Sequence, residues 1–222
     1  MDVKNAVATR NSIRAFSPEP IPKKTLEEIM ERALRAPSWG NTQPWKFTIV
    51  GGKTLENIRS EFVQLLQKGV PPGPDCTMPT KFSKAQTYRY KGLAKDLYEA
   101  LGIKREDKEG RKAFYIKMIQ LFDARCVIYL HLDKDFNPYA LMDGGIILQT
   151  IALLALDYGL GTCILAQSST YPDVVRKYAG IHENQVLVMG MAVGYPIRDH
   201  PANQFRSQRG KPEDFFRWID MK

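Results

Sequence analysis

Cysteine and histidine are scarce, three of each in 222 residues. Cys76, Cys126 and Cys163 are odd in number, widely spaced and without a C-x-x-C pair, and His131, His182 and His200 show no ligand spacing. A disulfide framework and a zinc site are therefore excluded as organising principles, and unpaired thiols point to a reducing compartment. No uninterrupted apolar run is long enough to cross a bilayer, because the greasiest stretch, "ALMDGGIILQTIALLALDYGL", is broken by Asp143, Gln149 and Asp157. The opening "MDVKNAVATRNS" lacks the apolar core of a signal peptide, which sets the expectation of a cytoplasmic protein. Internal repeats and low-complexity tracts are also missing.

What is present is an ordinary globular composition, 44% hydrophobic, with a net charge of +8. The length fits one large domain or two small ones and allows a full core without covalent staples. The charge is compatible with nucleic acid, an anionic membrane surface or small phosphorylated ligands, and its distribution has to decide.

Periodicity predicts a helix over "KKTLEEIMERALRA", ending before Pro37, then a strand over "WKFTIVGG" and a helix over "KTLENIRSEFVQLLQK". Residues 69–92 carry four prolines and three glycines and read as an irregular loop, a candidate lid. Helices are expected over 93–101 and 108–121, and a buried strand over "CVIYLHL". "PYALMDGGIILQTIALLALDYG" reads as a helix apolar nearly all round, which has to be buried on several sides. "GTCILA", "YPDVVRKYAG" and "NQVLVMGMAVG" read as strand, helix and strand, before a basic and then aromatic tail. About four strands interleaved with helices imply α+β or α/β in a single domain.

Three motifs carry chemistry. The loop "APSWGNTQPW" holds no formal charge but has two tryptophans and the polar side chains of Ser38, Asn41, Thr42 and Gln43. It is either a turn flanking the core or a surface for a flat heterocycle whose edge needs donors and acceptors. "RNSIR" sets Arg10, Ser12 and Arg14 at alternating positions, so an extended chain points all three the same way. They form a solvated basic face or a phosphate clamp. In the tail, Arg206, Arg209 and Lys211 add to that clamp if the fold joins the two ends. "YGLGTCILAQ" contains G-x-G, but after a helix and before a strand and without a third glycine, so the dinucleotide fingerprint fails. Cys163 sits in an apolar strand with no histidine nearby in sequence and reads as structural.

In this order, "RNSIRAF", "APSWGNTQPWKF", "GGIILQTIALLALDYGLGTCILA", "MGMAVGYP" and a basic tail resemble the FMN-dependent nitroreductase family over most of the chain except residues 69–125. The resemblance implies an α+β, nitroreductase-like fold: a central, mostly antiparallel sheet flanked by helices, in an intertwined homodimer with FMN at the subunit interface. It treats residues 1–222 as one domain, with 69–125 a variable loop and helical insertion. By motif it assigns Arg10, Asn11, Ser12 and Arg14 to the phosphate, ribityl and N1/O2 side of FMN. Pro37, Ser38, Trp39, Asn41 and Gln43 are assigned to a loop reaching the ring from the partner. Leu165, Ala166 and Gln167 lie beside the ring, with the Ala166 backbone N–H opposite N5, and Arg206 and Arg209 close the phosphate site. Asn11 stands where the family is often basic, and the tail basics are spaced differently. The implied activity is ping-pong reduction by NAD(P)H of nitroaromatics, quinones or enones, with dehalogenation as an alternative on the same scaffold. Tyr88, Arg89 and Tyr90 are candidates for contacting an aromatic acceptor. No metal, membrane or nucleic-acid partner is expected, although a nucleic-acid-binding protein is the rival reading of the net charge.

Overall fold

The computed structural model describes residues 1–221. Four strands, β1 (Lys46–Gly51), β2 (Cys126–Asp133), β3 (Gly161–Leu165) and β4 (Gln185–Gly194), form one sheet in the order β1-β2-β4-β3, every pair antiparallel. β2 is buried along seven of its eight residues, as a central strand covered on both faces requires. Its alternation sorts the core. Val127 and Tyr129 join Leu55, Ile58, Phe62, Val174 and Val175 on one side, from α3 (Gly52–Gln67) and α7 (Pro172–Ala179). Ile128 and Leu130 join Leu26, Ile29, Ala33, Ile147 and Ile151 on the other, from α2 (Lys23–Ala33) and α6 (Pro138–Asp157). The α+β reading with a mostly antiparallel sheet therefore holds.

Asn137 starts α6 by accepting hydrogen bonds from the backbones of Tyr139 and Ala140, ahead of Pro138 in the first turn. Among the described residues α6 is the one helix long and apolar enough to cross a membrane by length and composition, so its three polar interruptions do not disqualify it as the sequence reading held. Its packing against α2 and the sheet marks it as a core helix. Gly144 allows that packing, since a Cβ there would lie 2.8 Å from Leu130 Cδ2.

The expected irregular segment 69–92 stops short. α4 (Lys84–Ala100) begins at a capping box in which Ser83 and Gln86 bond each other's backbone. The "SKAQ" signal was legible, but "YRYKG" behind it lacks apolar periodicity. The start of the segment is also tied down. Tyr171 donates to the Val70 carbonyl at 2.9 Å, Gly73 N–H to the Thr170 carbonyl at 3.1 Å, and Asp75 pairs with Arg176 while accepting from Leu187 N–H at 2.7 Å. α5 (Lys108–Ile119) ends in a left-handed turn in which Leu121, Phe122 and Asp123 have φ of 56°, 53° and 56°. That turn costs about 1–3 kcal/mol per residue and is held by burial of Leu121 and Phe122.

The two ends of the chain meet on the β3 edge. After α1 (Val3–Thr9), Ser12 bridges Thr162 in parallel, and Ile13 N–H donates to the Thr162 carbonyl at 2.9 Å. Asn203, buried on α8 (Pro201–Gln204), accepts from Arg14 and Ala15 N–H at 2.7 and 3.2 Å. It donates to the Ala15 and Ile197 carbonyls at 2.7 and 2.8 Å.

Two outcomes follow from this packing. A Cβ on Gly161 would sit 2.4 Å from Ile13 Cγ1, so Gly161→Ala is expected to cost about 1–3 kcal/mol in urea unfolding and to loosen the Arg10–Arg14 strand in hydrogen exchange. His131 is buried, bonds Thr48 Oγ1 at 3.0 Å, and is held below its ordinary value of 6.5, chiefly by burial. The unfolded chain then binds more protons, so stability is full above 6.5 and falls as pH drops through the folded value. Urea midpoints at pH 7.5 and 5.5 should show this loss, and His131→Gln should flatten it.

Candidate functional site

Ile13 is buried in the core and Arg10, Ser12 and Arg14 are half-buried, with Arg10 lining one cavity and Arg14 a different one, beside Phe16, Phe114 and His200. Their surroundings explain Cys163: burial pushes its thiol up against the opposing pull of Arg14 and Arg10, so it is a neutral packing group rather than a nucleophile. Beside this strand lies a cavity of about 370 Å³ lined by Arg10, Asn11, Thr162, Arg198, Asn203 and Arg206, with no carboxylate in its wall. The question of whether the fold joins the two basic segments is thus answered for Arg206. It is not for Arg209, which is exposed and folds back onto Ser207 Oγ at 2.6 Å. Asn11 donates to the Asn203 carbonyl at 3.0 Å and Arg206 to the same carbonyl at 2.6 Å, so that backbone group draws the N- and C-terminal segments together.

β3 ends in a tight turn, Ala166–Ser169. Ser168, fully buried, locks it by donating to the Leu165 carbonyl at 2.5 Å and accepting from Gly190 N–H at 2.6 Å. Gly190 has to be glycine, since a Cβ would meet Ser168 Oγ at 2.6 Å. The Ala166 N–H opens this turn and is one of the donors that a helical turn leaves without an internal partner. Leu165 is buried, while Ala166 and Gln167 are half-buried at the surface.

The neutral loop is built around Gly40, Asn41 and Gln43, all with positive φ (54°, 58° and 47°). Ser38 Oγ accepts from Gln43 N–H at 3.0 Å, Thr42 Oγ1 donates to the Trp39 carbonyl at 2.9 Å, and Gln43 Nε2 reaches Asn41 Oδ1 at 3.3 Å. Both oxygens of Asp143, a buried carboxylate on α6, lie 3.2 Å from Trp39 N–H and anchor the loop. The Trp39 ring itself is 60% exposed and tilts against Tyr139 at 6.1 Å. Pro37, Asn41 and Gln43 are exposed as well. The loop therefore holds an ordered backbone while displaying an indole and two amides to solvent.

This loop precedes β1 at one edge of the sheet, whereas Arg10–Arg14 borders β3 at the other. Four inter-strand spacings separate them, about 19 Å at roughly 4.8 Å each, so one protomer does not bring them together. Tyr88, Arg89 and Tyr90 lie on α4, a helix that packs against α8. Tyr88 is 81% exposed, Arg89 stacks over Phe215 at 5.2 Å, and Tyr90 stacks on Phe82 at 5.6 Å.

Asp143, Asn203 and Arg198 were not singled out from the sequence as site residues. A lone acid in an apolar helix was a signal for Asp143, whereas Asn203 and Arg198 acquire meaning only from the tertiary contact.

The sequence pattern of the Nitroreductase family matches residues 7–195. The chain is 27% identical to a 4-nitrobenzoate reductase of Pseudomonas putida over 214 residues, 96% of this chain and 94% of that one. It superposes on the FMN and NADPH-dependent nitroreductase NfnB from sphigopyxis sp. strain HMH with a TM-score of 0.96 and 30% identity, with 100% of both chains covered. The FMN-dependent nitroreductase NfnB from Mycobacterium smegmatis, solved in complex with NADPH, superposes with a TM-score of 0.91 and 27% identity over 98% of this chain and 100% of that one.

Asp143→Ala leaves the Trp39 N–H without its acceptor. A loss of about 1–3 kcal/mol in urea unfolding is expected, with faster proteolysis confined to residues 37–44, and Asp143→Asn should recover part of both.

Proposed function

Because the chain belongs to the Nitroreductase family, we propose that it is an FMN-dependent NAD(P)H oxidoreductase that reduces nitroaromatic, quinone or related electron-poor small molecules in the cytoplasm. The observation that carries this reading is the carboxylate-free cavity where Arg10 and Arg206 converge, beside a strand that also presents Ser12 and Arg14. A phosphate monoester bears close to two negative charges at neutral pH, and two guanidiniums in a pocket match it far better than a solvated stripe would. Cations gathered in a concavity favour a small phosphorylated ligand over nucleic acid.

The residues fit FMN as follows. Arg10 and Arg206, with Arg209 as a further candidate, hold the phosphate, and Asn11 braces the segment. Ser12 meets the ribityl hydroxyls. Arg14 lies toward the N1/O2 side of the ring, where a cation favours negative charge. Leu165 and Gln167 flank the ring, and the Ala166 N–H donates toward N5. Pro37, Ser38, Trp39, Asn41 and Gln43 come from a second copy, since the same protomer's loop is about 19 Å away across the sheet at the ordinary strand spacing. Bound FMN supplies the hydride chemistry, accepting from NAD(P)H and then passing to the acceptor in ping-pong order. The protein's part is position and electrostatics.

A second copy also has a face to cover. Met142, Ile146, Gln149, Leu153 and Leu156 follow each other at helical spacing along α6 and are exposed or half-buried, and Phe216 and Trp218 of the tail are 63% and 76% exposed. Such a patch is characteristic of an interface. Within the homodimer, residues 1–222 act as a single nitroreductase-like domain, with Tyr88, Arg89 and Tyr90 of the 69–125 region offered to the acceptor.

Purified protein is expected to be yellow, to sediment as a dimer, and to lose its flavin colour anaerobically on addition of NADPH or NADH. Arg10→Ala should weaken FMN binding by about 10- to 100-fold, the range of a charged hydrogen bond, while the dimer persists. A colourless monomer that takes up no added FMN would refute the reading.

A further inference from the structure

The cavity beside the N-terminal strand holds more positive charge than one flavin phosphate uses. Arg10 and Arg206 together balance a dianion. Arg198 lines the same cavity, is exposed, and takes part in no ion pair among the described residues. Its backbone is not loose. Ile197 N–H donates to the Ala15 carbonyl at 3.1 Å, His200 N–H to the Ile197 carbonyl at 3.2 Å, and Asn203 Nδ2 to that same carbonyl at 2.8 Å. A guanidinium is thus displayed from a fixed point, on the rim of a pocket with no carboxylate in its wall. Arg206, by contrast, already spends donors on the Asn203 and Phe205 carbonyls at 2.6 and 3.0 Å.

We infer that Arg198 is a specificity residue for the reductant, reading the 2′-phosphate of a phosphorylated nicotinamide dinucleotide while Arg10 and Arg206 hold the flavin phosphate. The inference rests on the flavin reading above and adds a preference for NADPH over NADH. The two nucleotides differ only in that monoester, so an unpaired guanidinium next to the flavin phosphate has one chemical feature with which to separate them. Because Arg198 is exposed, its contribution is modest and screened by salt.

The test uses FMN-loaded wild type, Arg198→Ala and Arg198→Lys. Oxidised protein is titrated with NADP⁺ and NAD⁺ by flavin absorbance, and FMN retention is measured separately by ultrafiltration. In Arg198→Ala the NADP⁺ dissociation constant should rise about tenfold, the low end for a charge-assisted bond. NAD⁺ should stay within about twofold on the same scale. Arg198→Lys should recover part of the loss, because a point charge still attracts phosphate without the bidentate geometry. Equal weakening of both nucleotides, no weakening of either, or loss of FMN from Arg198→Ala overturns the assignment; the last would make Arg198 a flavin-phosphate ligand. A wild type that takes up no FMN refutes the flavin reading and this inference together, whereas a yellow wild type whose Arg198→Ala variant treats the two nucleotides alike refutes this inference alone.

Discussion

The width of a four-stranded sheet is the constraint on which the proposed site depends. Strands pair at roughly 4.8 Å, and the order β1-β2-β4-β3 puts the neutral Trp39–Gln43 loop outside one edge and the Arg10–Arg14 strand outside the other. No side chain spans that distance. The basic segment and the neutral aromatic loop, which the proposed reading assigns to a phosphate and a ring, are therefore on one chain yet separated. A second copy is, on the proposed reading, a geometric requirement of the site as well as a way to cover apolar surface on α6.

Each half is held by a buried polar residue that spends its bonding capacity on backbone. Asn203 ties Arg14 and Ala15 to Ile197 through four bonds, Asp143 receives the Trp39 N–H, and Ser168 joins Leu165 to Gly190. Buried polar groups are costly unless satisfied, so these residues restrict the backbone to arrangements that satisfy them. Half-buried Arg10 and exposed Arg198, Trp39 and Asn41 then project from fixed points. Preorganisation of this kind lets weakly partnered surface groups bind without a large ordering cost.

Much of this was readable from the chain. The closed apolar run "CVIYLHL" placed the central strand correctly, because burial on both faces leaves a compositional trace. "WKFTIV" is a strand although its Ile49 is exposed, whereas the all-round apolar helix forms as expected but leaves Tyr139, Leu141 and Met142 exposed in the protomer. Alternation anticipated one half-buried segment carrying Arg10, Ser12 and Arg14, but not that Arg10 and Arg14 line different cavities. The start of α4 was missed, since its polar surface leaves little periodicity and only the Ser83–Gln86 box marks it. Asn203 and Arg198 were illegible for a different reason. Their roles depend on contacts between segments nearly two hundred residues apart, and neither an amide nor an arginine in a loop carries local information about such a partner. Arg209 shows the converse: a tail arginine assigned to the phosphate by resemblance folds back onto Ser207.

The distribution of charge completes the argument. A net charge of +8 left three classes of partner open, and the proposed reading rests on placement, because what matters to a small ligand is which charges gather in a concavity. Lys46 pairs with Asp133, Lys117 with Asp123 and Lys177 with Glu61, but most lysines and arginines make no ion pair among the described residues, so it is the shape of the surface around them that differs. Around Arg10, Arg198 and Arg206 no acid lines the wall, and at the opposite edge the Trp39 loop bears no formal charge at all. On the proposed reading, two such surfaces brought together from two copies suit a dianion with a neutral aromatic ring attached at a distance.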